Sequence, residues 1–379
     1  MILEFGAKNF YSFKEGFEIN LRSNDQKTGQ NVAFNVLAIK GANASGKTNV
    51  LKLLQFIQSF VLNSFSEIKP EEKILIRSFF RCDAPIEIFI AFLQDNIEYS
   101  YELILTEDEV ISEKISRKQK RDVQIIQREK NTISTISEFD ELKTIKIRSN
   151  VSIISMALQY EINCIKPLAQ LFQSIKTNVS PFGRNEQPLH DHDTISKFYY
   201  DNQDIFEFVI KVLKQSDTGI DNIKILDRQD DTGNIVYFPI FYFRNNSSDS
   251  KILTFYEQSS GTKSLYLQLG NYAIALRHGR TLILDEFDIN LHPDILPMLV
   301  DFFDDPVKNV KNAQLIFTTH NTDIMDKLGK YRVVLVNKED NESFLYRLDE
   351  IPGDILRNDR PITPIYKAGK IGGKPKLTA

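Results

Sequence analysis

Residues 41–48 read Gly-Ala-Asn-Ala-Ser-Gly-Lys-Thr and match the pattern G-x-x-x-x-G-K-[ST] in full. A short apolar run, residues 36–39, precedes this segment, and apolar residues at helical spacing follow it. Glycines in such a loop let successive backbone N–H groups surround a phosphate, and the following helix adds its positive N-terminal dipole. The sequence therefore predicts a P-loop between a buried strand and a helix, which constrains the chain to an α/β fold.

The residue types of the P-loop predict what each side chain does. We expect Lys47 to reach the β- and γ-phosphates of a nucleotide and the Thr48 hydroxyl to bind Mg²⁺. A chance glycine turn before Lys-Thr is the plainer alternative, and the strand–helix context argues against it. The predicted nucleotide contacts of this segment are Gly41, Asn43, Ala44, Ser45, Gly46, Lys47, Thr48 and Asn49.

An apolar run that ends in two acids supplies the second part of the predicted site. Residues 281–284 are Thr-Leu-Ile-Leu, and Asp285 and Glu286 follow them. We expect Asp285 to hold the Mg²⁺ shell and Glu286 to polarise the attacking water as general base. An Asp-Glu pair often does no more than end a strand, but the P-loop upstream favours the catalytic interpretation.

The composition narrows the class of protein. The 379 residues include 47 Lys+Arg and 51 Asp+Glu, so the formal charge of 47 − 51 = −4 excludes a generally basic nucleic-acid-binding surface. The N-terminal residues lack the apolar run of a signal peptide, and no window approaches the ~18 apolar residues of a membrane span. Cys82 and Cys164 form no C-x-x-C pair, which argues against a disulfide framework and a cysteine zinc site. We therefore expect a cytoplasmic protein without a membrane partner.

Hydrophobic periodicity predicts the organisation of the chain. The predicted segments are 1–150 with the P-loop and antiparallel strands, 151–230 as a helical insertion, and 231–379 with the remaining motifs. A hairpin hinged at Asp95 and Asn96 is expected over 85–105, and a loop is expected over 180–193. Beyond residue 260, helical and strand patterns alternate as in a parallel α/β sheet.

The distance and the order of the motifs separate the classes of P-loop protein. Roughly 240 residues lie between the P-loop and Asp285, far more than one βαβ unit requires. A ring-forming AAA+ ATPase would place its acid much sooner. Here residues 258–264, Q-S-S-G-T-K-S, precede the acid and open a predicted helix, and a strand over 314–317 runs into T-T-H-N. The order is P-loop, Ser/Gly helix start, acidic strand end and a histidine after a strand.

This order resembles the ABC-type ATPase heads of the SMC, RecF and OLD group, whose signature motif is written LSGGEKS. The similarity extends, over essentially the whole chain, to stand-alone bacterial ATPases of the RloA-like kind, which are often found in restriction and phage-defence operons. The similar elements are N-F-x-S-F at 9–13, G-A-N-A-S-G-K-[ST]-N at 41–49, the E-S-S-G-T helix start at 257–262, D-E-hydrophobic-D…L-H-P at 285–293, T-T-H-N at 318–321 and the tail from Tyr366.

The resemblance implies a nucleotide sandwich between two head-to-tail subunits. Ser259 and Gly261 of one subunit would contact the γ-phosphate held at Lys47 of the other, and Ser260 and Lys263 belong to the same signature segment. Free N–H groups and small side chains at a helix start suit an anion that approaches from another chain. The plainer alternative for Ser259 is an ordinary helix N-cap.

The resemblance also assigns residues after the acidic strand and near the middle of the chain. His320 would sense the γ-phosphate and position water, although a histidine after a strand is often structural. Asp288, with Asn290, would lie at the dimer interface. Gln159 is the best candidate for the glutamine that couples the Mg²⁺ site to the middle lobe, and a helix-face glutamine is the alternative.

Three positions depart from the ABC pattern. Gln258 stands where many heads have Leu, Ser260 replaces the first signature glycine, and Thr262 replaces an acidic or Gln residue. These departures fit the RloA-like subgroup and weaken any link to transporters.

Two polar segments invite a functional interpretation that we do not favour. His190-Asp191-His192 lies in a polar loop without further clustered ligands, so a metal site is not expected. The basic segment of Arg117, Lys118, Lys120 and Arg121 is more typical of a solvated hairpin tip than of a phosphate-backbone contact.

The motifs and the resemblance together imply an α/β ABC-type P-loop ATPase head with a β-rich N-terminal lobe and a helical insertion. It would bind ATP and Mg²⁺, close as a head-to-tail homodimer or higher oligomer, and gate a separate effector in a phage-defence or restriction-linked system. The alternatives are a RecF/SMC-like repair ATPase that clamps DNA and a nucleotide-dependent protein scaffold. An OLD-type nuclease is not expected, because 379 − 320 = 59 residues follow His320, fewer than the ~100 of a small domain. The effector, its trigger and the choice of ATP over GTP stay open.

Overall fold

The structure is a computed structural model that describes residues 1–24, 31–119, 121–185, 191–216, 219–243, 251–353, 355–357 and 360–375. The chain forms two compact units, each discontinuous in sequence. The first comprises Met1–Arg184, Ile283–Phe287 and Gln314–Ala379, and the second comprises Asn185–Leu282 and Asp288–Ala313. The three segments expected from periodicity stay a prediction beside this division.

The secondary structure alternates between long antiparallel strands, short buried strands and helices. The strands are β1 (Ile2–Lys8), β2 (Phe17–Asn20), β3 (Arg22–Asn24), β4 (Asn31–Ala33), β5 (Val36–Gly41), β6 (Ile86–Gln94), β7 (Ile97–Leu105), β8 (Val110–Lys118), β9 (Asp122–Glu129), β10 (Thr132–Thr135), β11 (Ile175–Thr177), β12 (Val179–Ser180), β13 (Gly183–Arg184), β14 (Ile220–Gln229), β15 (Ile235–Phe243), β16 (Lys251–Thr254), β17 (Thr281–Leu284), β18 (Gln314–Thr318), β19 (Val333–Glu339) and β20 (Glu342–Arg347). The α-helices are α1 (Lys47–Glu67), α2 (Ile153–Gln159), α3 (Lys166–Gln173), α4 (His192–Asp201), α5 (Gln203–Gln215), α6 (Ser260–His278), α7 (Ile295–Asp304), α8 (Ile324–Leu328) and α9 (Thr363–Lys367).

The sheet that carries the P-loop has the order β11-β17-β18-β5-β19-β20 among the described residues. Strand β5 lies parallel to β18 and to β19. Every residue of β5 and of β18 is buried, which explains why both strands are nearly continuous apolar runs in the sequence. Because the carboxyl ends of parallel strands share one edge of a sheet, the segments that follow β5 and β18 meet there.

An antiparallel sheet of the first unit has the order β10-β9-β8-β7-β6-β1-β2. The hairpin expected over 85–105 is confirmed as β6 and β7, whose register pairs Ile86 with Leu105 and Gln94 with Ile97. The two residues between these strands, Asp95 and Asn96, have φ of 51° and 61°. Positive φ at both central residues is what a type I′ hairpin turn requires, and Asp and Asn tolerate it well.

Helix α1 begins at Lys47, within the P-loop motif, and the helix predicted after the loop is confirmed. Its apolar residues at helical spacing, including Val50, Leu54, Ile57 and Val61, are completely buried and join the core of the first unit. Packing of this apolar face fixes the start of the helix at the edge of the sheet.

The loop expected over 180–193 is wrong at both of its ends. Gly183 has φ 126°, which lets the chain turn and form the short β12–β13 hairpin. The Asp191 carboxylate accepts a hydrogen bond from the Thr194 N–H at 2.7 Å and caps α4. This helix begins at His192, inside the expected loop. Residues 186–190, including His190, lie outside the described part of the chain.

The second unit contains α4 to α7 and the antiparallel sheet β14-β15-β16. The helices and strands predicted beyond residue 260 are confirmed as α6, β17, α7, β18 and β19. The predicted α/β class is confirmed. In the part of the chain that the structure describes, no helix is both long and apolar enough to cross a membrane.

Candidate nucleotide-binding site

The backbone of the P-loop needs the small residues of its motif. Ala44 and Gly46 have φ of 59° and 111°, a region that residues with a side chain rarely occupy. A Cβ on Gly46 would lie 2.7 Å from Ser343 Oγ, and a Cβ on Gly41 would lie 2.3 Å from the Val336 carbonyl oxygen. Close packing therefore requires glycine at both positions, and the turn of the loop also requires it at Gly46.

Lys47 opens α1 and folds back over the loop. Its Nζ donates to the Gly41 carbonyl at 3.0 Å and to the Ala42 carbonyl at 2.9 Å. The Lys47 side chain is buried, whereas Asn43 and Ala44 are exposed at the tip of the loop. The ammonium group therefore lies inside the loop, where it can meet a phosphate that the backbone N–H groups surround.

Two serine side chains outside the motif, those of Ser12 and Ser343, brace the P-loop. The Asn49 side-chain amide donates to Ser12 Oγ at 2.9 Å, which links the N-F-x-S-F element to the first turn of α1. Ser343 Oγ lies 2.7 Å from Ser12 Oγ and 2.7 Å from the Ser45 carbonyl oxygen. Within the described residues, the buried Ser45 Oγ has no hydrogen-bond partner. This hydroxyl is thus an unused donor inside the loop.

Asp285 contacts the first turn of the P-loop helix. Its Oδ2 accepts a hydrogen bond from Thr48 Oγ1 at 2.8 Å, and its Oδ1 accepts one from Thr318 Oγ1 at 2.6 Å. Asn178 holds the main chain of Asp285 on both sides, because Nδ2 donates to its carbonyl at 3.1 Å and Oδ1 accepts from its N–H at 2.8 Å. The carboxylate is only 3 % exposed, so its direction toward Thr48 is set by buried contacts.

Glu286 has a strained backbone and a partly exposed side chain. Its φ is 50°, and its N–H donates to Thr318 Oγ1 at 2.7 Å. Its Oε2 lies 2.9 Å from Arg184 Nε, in an ion pair whose side chains are 23 % exposed for arginine and 41 % for glutamate. Left-handed backbone at a non-glycine residue persists only where surrounding contacts enforce it, and such positions concentrate at functional sites.

His320 lies two residues after the end of β18 and is exposed. The Lys40 Nζ donates to the His320 carbonyl at 2.7 Å and lies 5.2 Å from the centre of the Tyr366 ring. The Tyr366 hydroxyl donates to the Gly373 carbonyl at 2.9 Å, and the Gly373 N–H donates to Asn337 Oδ1 at 2.6 Å. The tail from Tyr366 therefore supports the segment that carries His320.

A second lysine lies on α1, one turn beyond Thr48. Burial, and then the nearby Arg77 guanidinium, lower the pKa of Lys52, whereas the Asp285 carboxylate opposes them. Its Nζ lies 4.8 Å from the centre of the Tyr11 ring. The acidic side of the site thus has a positive charge of α1 close to it, in addition to Lys47.

Gln159 is the last residue of α2, and its side chain is exposed. Helix α2 packs against α1. The role assigned to Gln159 stays a prediction.

The signature segment begins α6 in the second unit. Ser259 is the N-cap of this helix, because its Oγ accepts a hydrogen bond from the Thr262 N–H at 3.1 Å. Ser259 and Ser260 are exposed. The Lys263 Nζ donates to the Tyr256 carbonyl at 2.7 Å, which ties the first turn of the helix to the segment before it. An N-cap and an anion-binding role are compatible here, because the cap occupies only one of the first N–H groups.

Gly261 and Asp288 lie in the same unit. A Cβ on Gly261 would lie 2.9 Å from the Asn290 carbonyl oxygen, so a larger residue would push the two segments apart. Asn290 has φ 62°, and the Asp288 carbonyl accepts a hydrogen bond from the Leu291 N–H at 3.2 Å. The turn after the acidic strand is therefore packed against the start of the signature helix.

Two segments that we did not favour as sites are engaged in ordinary contacts. Arg117 pairs with Glu138 at 3.2 Å, and Lys118 and Arg121 are exposed, whereas Lys120 lies outside the described residues. The His192 ring stacks on Phe255 with their centres 4.9 Å apart. Within the described residues, no cluster of three or more His, Cys, Asp or Glu side chains could hold a metal ion.

The structure brings Lys47, Thr48, Asp285 and Glu286 together at one edge of the first unit. Sequence reasoning missed four residues that hold this edge: Lys40, Asn178, Arg184 and Ser343. None of them belongs to a motif, and the Ser-Pro-Phe-Gly turn before Arg184 is the one local signal that pointed to a hairpin there.

The sequence model of one protein family matches residues 36–326, and that family is described as "AAA domain, putative AbiEii toxin, Type IV TA system". No curated protein matches the chain significantly.

Three solved structures are similar to this chain at 13% identity. An Smc head domain from Pyrococcus furiosus, with an extended coiled coil and bound to the C-terminal domain of ScpA, is 13% identical over 92% of this chain and 97% of that chain, with a TM-score of 0.45. The recombination mediator protein RecF-ATPrS of the RecFOR pathway is 13% identical over 91% and 98%, with a TM-score of 0.33. The protein cbiO1 from Clostridium perfringens, part of the ABC transporter complex cbiONQ, is 13% identical over 91% and 89%, with a TM-score of 0.35.

Proposed function

The chain belongs to the AAA domain family whose sequence model it matches, and from this premise we propose that it binds and hydrolyses ATP. One observation carries the proposal: the Thr48 hydroxyl and the Asp285 carboxylate, 237 residues apart in sequence, are 2.8 Å apart at the mouth of the P-loop. A hydroxyl and a carboxylate in contact beside a phosphate-binding loop are the oxygen ligands that Mg²⁺ prefers.

The residues present fit a magnesium–nucleotide complex. The glycines leave no room for a side chain at the loop, the buried Ser45 Oγ is an unused donor, and Thr48 with Asp285 offers oxygen ligands for the metal. Magnesium, when bound, neutralises charge on the β- and γ-phosphate oxygens. Thr48 and Asp285 would hold it.

The protein's own groups divide the remaining work. Lys47 holds the phosphates by its ammonium charge. Glu286 accepts the proton of the attacking water, and His320 positions this water near the γ-phosphate. Thr318 fixes the two acids relative to each other, because its hydroxyl donates to Asp285 and accepts from the Glu286 N–H.

Hydrolysis is tested by comparing the purified wild type with three variants. Lys47→Ala and Glu286→Gln should each lower the rate of phosphate release by roughly a hundredfold or more, because each removes a group that acts on the transition state. Lys118→Ala, a change of an exposed lysine on β8, is the matched control and should be unchanged. Equal rates in Lys47→Ala and the wild type would contradict the proposal.

We further propose that two copies close head to tail around two nucleotides. Ser259, Ser260, Gly261 and Lys263 of one copy would contact the nucleotide of the other, and Asp288 would cross the interface. Exposed Ser259 and Ser260 at a helix start support this proposal. In light scattering, Glu286→Gln with ATP and Mg²⁺ should be a dimer, and the added change Ser260→Arg should return it to a monomer. A Glu286→Gln protein that stays monomeric with ATP and Mg²⁺ would contradict the proposed nucleotide-sandwich dimer.

The output of closure, in this proposal, is the gating of a separate effector in a phage-defence or restriction-linked system. The family's description as a putative toxin of a type IV toxin–antitoxin system supports this setting. Phage plating on cells with the complete operon is the test, and both Lys47→Ala and Glu286→Gln should abolish protection. Protection that survives Glu286→Gln but not Lys47→Ala would favour a scaffold instead.

A second candidate is favoured by the same description: the chain is itself the toxic component. Expression of the chain alone should then arrest growth, and Lys47→Ala should relieve the arrest. Normal growth with the wild-type chain would exclude this candidate and leave the gating role.

A further inference from the structure

The short hairpin β12–β13 lies against the acidic end of β17. Asn178, the residue before β12, holds the main chain of Asp285 through two hydrogen bonds. At the other end of the hairpin, Arg184 Nε lies 2.9 Å from Glu286 Oε2. The hairpin therefore contacts both acids of the site, one through its backbone and one through its carboxylate.

The position of Arg184 is set by local geometry. Val179 pairs with Arg184 and Ser180 with Gly183 in the hairpin register. The Ser180 hydroxyl donates to the Gly183 carbonyl at 2.9 Å, and φ of 126° at Gly183 closes the turn. Arg184 thus extends from a closed turn whose base is tied to Asp285.

The two acids are held in different ways. Both Asp285 oxygens are engaged, by Thr48 and by Thr318. For Glu286 the backbone is fixed by Thr318, but the carboxylate lies at the end of a flexible side chain that is 41 % exposed. Arg184 supplies the side-chain contact that the structure shows for this carboxylate.

A general base acts when its oxygen lies within about 2.6–3.2 Å of the atom whose proton it accepts. An ion pair at Oε2 restricts the rotation of the Glu286 carboxylate. The same pair is too exposed to contribute much to folding, because solvent screens partly exposed ion pairs. Its geometry is therefore better explained by orientation than by stability.

We propose that Arg184 is a positioning residue, which orients the Glu286 carboxylate for proton transfer. This inference rests on the proposed ATP hydrolysis, because it assigns Glu286 as the base. Arg184 acts through Glu286 and does not itself need to touch the nucleotide.

The contact is tested first without nucleotide or turnover. In the full-length protein, the ¹⁵Nε–¹Hε resonance of Arg184 is identified by its disappearance in Arg184→Lys. Glu286→Gln should shift this resonance, because a charged acceptor is replaced by a neutral one. Glu161→Gln, a change of an exposed glutamate, is the matched control and should leave it in place. An Arg184 resonance that is the same in Glu286→Gln and the wild type overturns the inference.

The functional arm measures steady-state hydrolysis. Arg184→Ala should lower kcat by roughly ten- to a hundredfold and leave KM within about twofold, because the oriented base is lost while the phosphate contacts are kept. Arg184→Lys should recover part of kcat, since lysine keeps the charge but not the shape of the guanidinium. In a Glu286→Gln background, Arg184→Ala should cause no further loss, because residues that act as a unit are not additive.

The outcomes separate this inference from the proposed function. If the wild type hydrolyses ATP and Arg184→Ala has the same kcat, or if Arg184→Ala is equally harmful in the Glu286→Gln background, the positioning role is wrong and the ATPase stands. If the wild type does not hydrolyse ATP, the proposed function fails and the positioning role fails with it, whatever the resonance shows.

Discussion

Two arginine–glutamate pairs of the first unit have the same chemistry and opposite surroundings. Arg128 and Glu113, in the antiparallel sheet, lie 3.4 Å apart with both side chains 0 % exposed. Arg184 and Glu286 lie at the edge of the first unit that carries the proposed nucleotide site, called here the nucleotide edge. They are 2.9 Å apart, with both side chains in contact with solvent. The closer pair is the more exposed one, so distance alone does not show which pair stabilises the fold.

The buried pair is part of a complete hydrogen-bond network. The Glu113 carboxylate accepts hydrogen bonds from Ser152 Oγ at 2.6 Å, from the Ile153 N–H at 2.9 Å and from the Tyr101 hydroxyl at 3.0 Å. It therefore links the sheet to the start of α2. The Arg128 guanidinium also donates to backbone carbonyls, that of Lys130 at 2.9 Å and that of Arg148 at 2.8 Å. A buried charge without such partners would be costly, so each member of the network makes the others necessary.

Glu113→Ala should have the largest effect on stability. It leaves the Arg128 guanidinium buried without its counter-charge and the Ile153 N–H at the start of α2 without its acceptor, so the free energy of unfolding should fall by about 3–5 kcal/mol. Urea unfolding followed by circular dichroism measures it. Glu102→Ala, a change of a half-exposed glutamate on β7, is the control and should cost far less. A loss as small as that of the control would remove the contrast between the two pairs.

Tyr101→Phe should have the second-largest effect. Burial, and then the Glu113 carboxylate, raise the pKa of Tyr101 well above its usual value, so we expect the hydroxyl to be a donor at pH 9 as it is at pH 6. Losing one hydrogen bond to a buried charged acceptor should lower the free energy of unfolding by about 1.5–3 kcal/mol. The loss should be the same at pH 6 and pH 9, and a loss that disappears at pH 9 would mean that the hydroxyl ionises there.

Gly46→Ala tests whether the P-loop at the nucleotide edge is held rigidly by its packing, in contrast to the exposed Arg184–Glu286 pair. The new Cβ would lie 2.7 Å from Ser343 Oγ at a residue whose φ is 111°, so we expect a loss of about 1–2 kcal/mol and loss of nucleotide binding. Thermal unfolding and binding of a fluorescent ATP analogue measure both. Gly233→Ala, where φ is also positive but no atom lies within 4 Å of the added Cβ, separates backbone strain from the clash.

Arg184→Ala should have the smallest effect on stability. A partly exposed ion pair contributes at most about 0.5–1 kcal/mol, and this contribution should shrink as salt is raised. Urea unfolding at low and high ionic strength measures it. A loss near that of Glu113→Ala would mean that Arg184 is a structural residue and would remove the distinction drawn above.

Much of the nucleotide edge could be predicted because its signals are local. The P-loop, the acids after β17 and the helix after Thr48 each follow from a short stretch of residue types and from apolar periodicity. The hairpin at Asp95 and Asn96 is predictable for the same reason, because its turn requires a specific backbone conformation at two adjacent residues.

The residues that hold the edge together could not be predicted in this way. Asn178 meets Asp285 across 107 residues, and Lys40 meets the His320 carbonyl across 280. These contacts depend on the order of the strands in the sheet, which no short pattern encodes. The loop expected over 180–193 is wrong at both ends for a related reason. Gly183 and Asp191 are residue types common in loops, but here Gly183 closes a hairpin turn and Asp191 caps α4.

The sequence by itself determined which residue types the proposed site contains: the glycine-rich loop with Lys47 and Thr48, and the acids Asp285 and Glu286. Backbone conformation and residue spacing act over a few residues, so these features are written locally. Only the tertiary structure decided which arginine meets which glutamate and how much water reaches each pair. Burial depends on every layer packed around a side chain, and it is burial that makes Arg128–Glu113 a part of the core and its absence that leaves Arg184–Glu286 in contact with solvent.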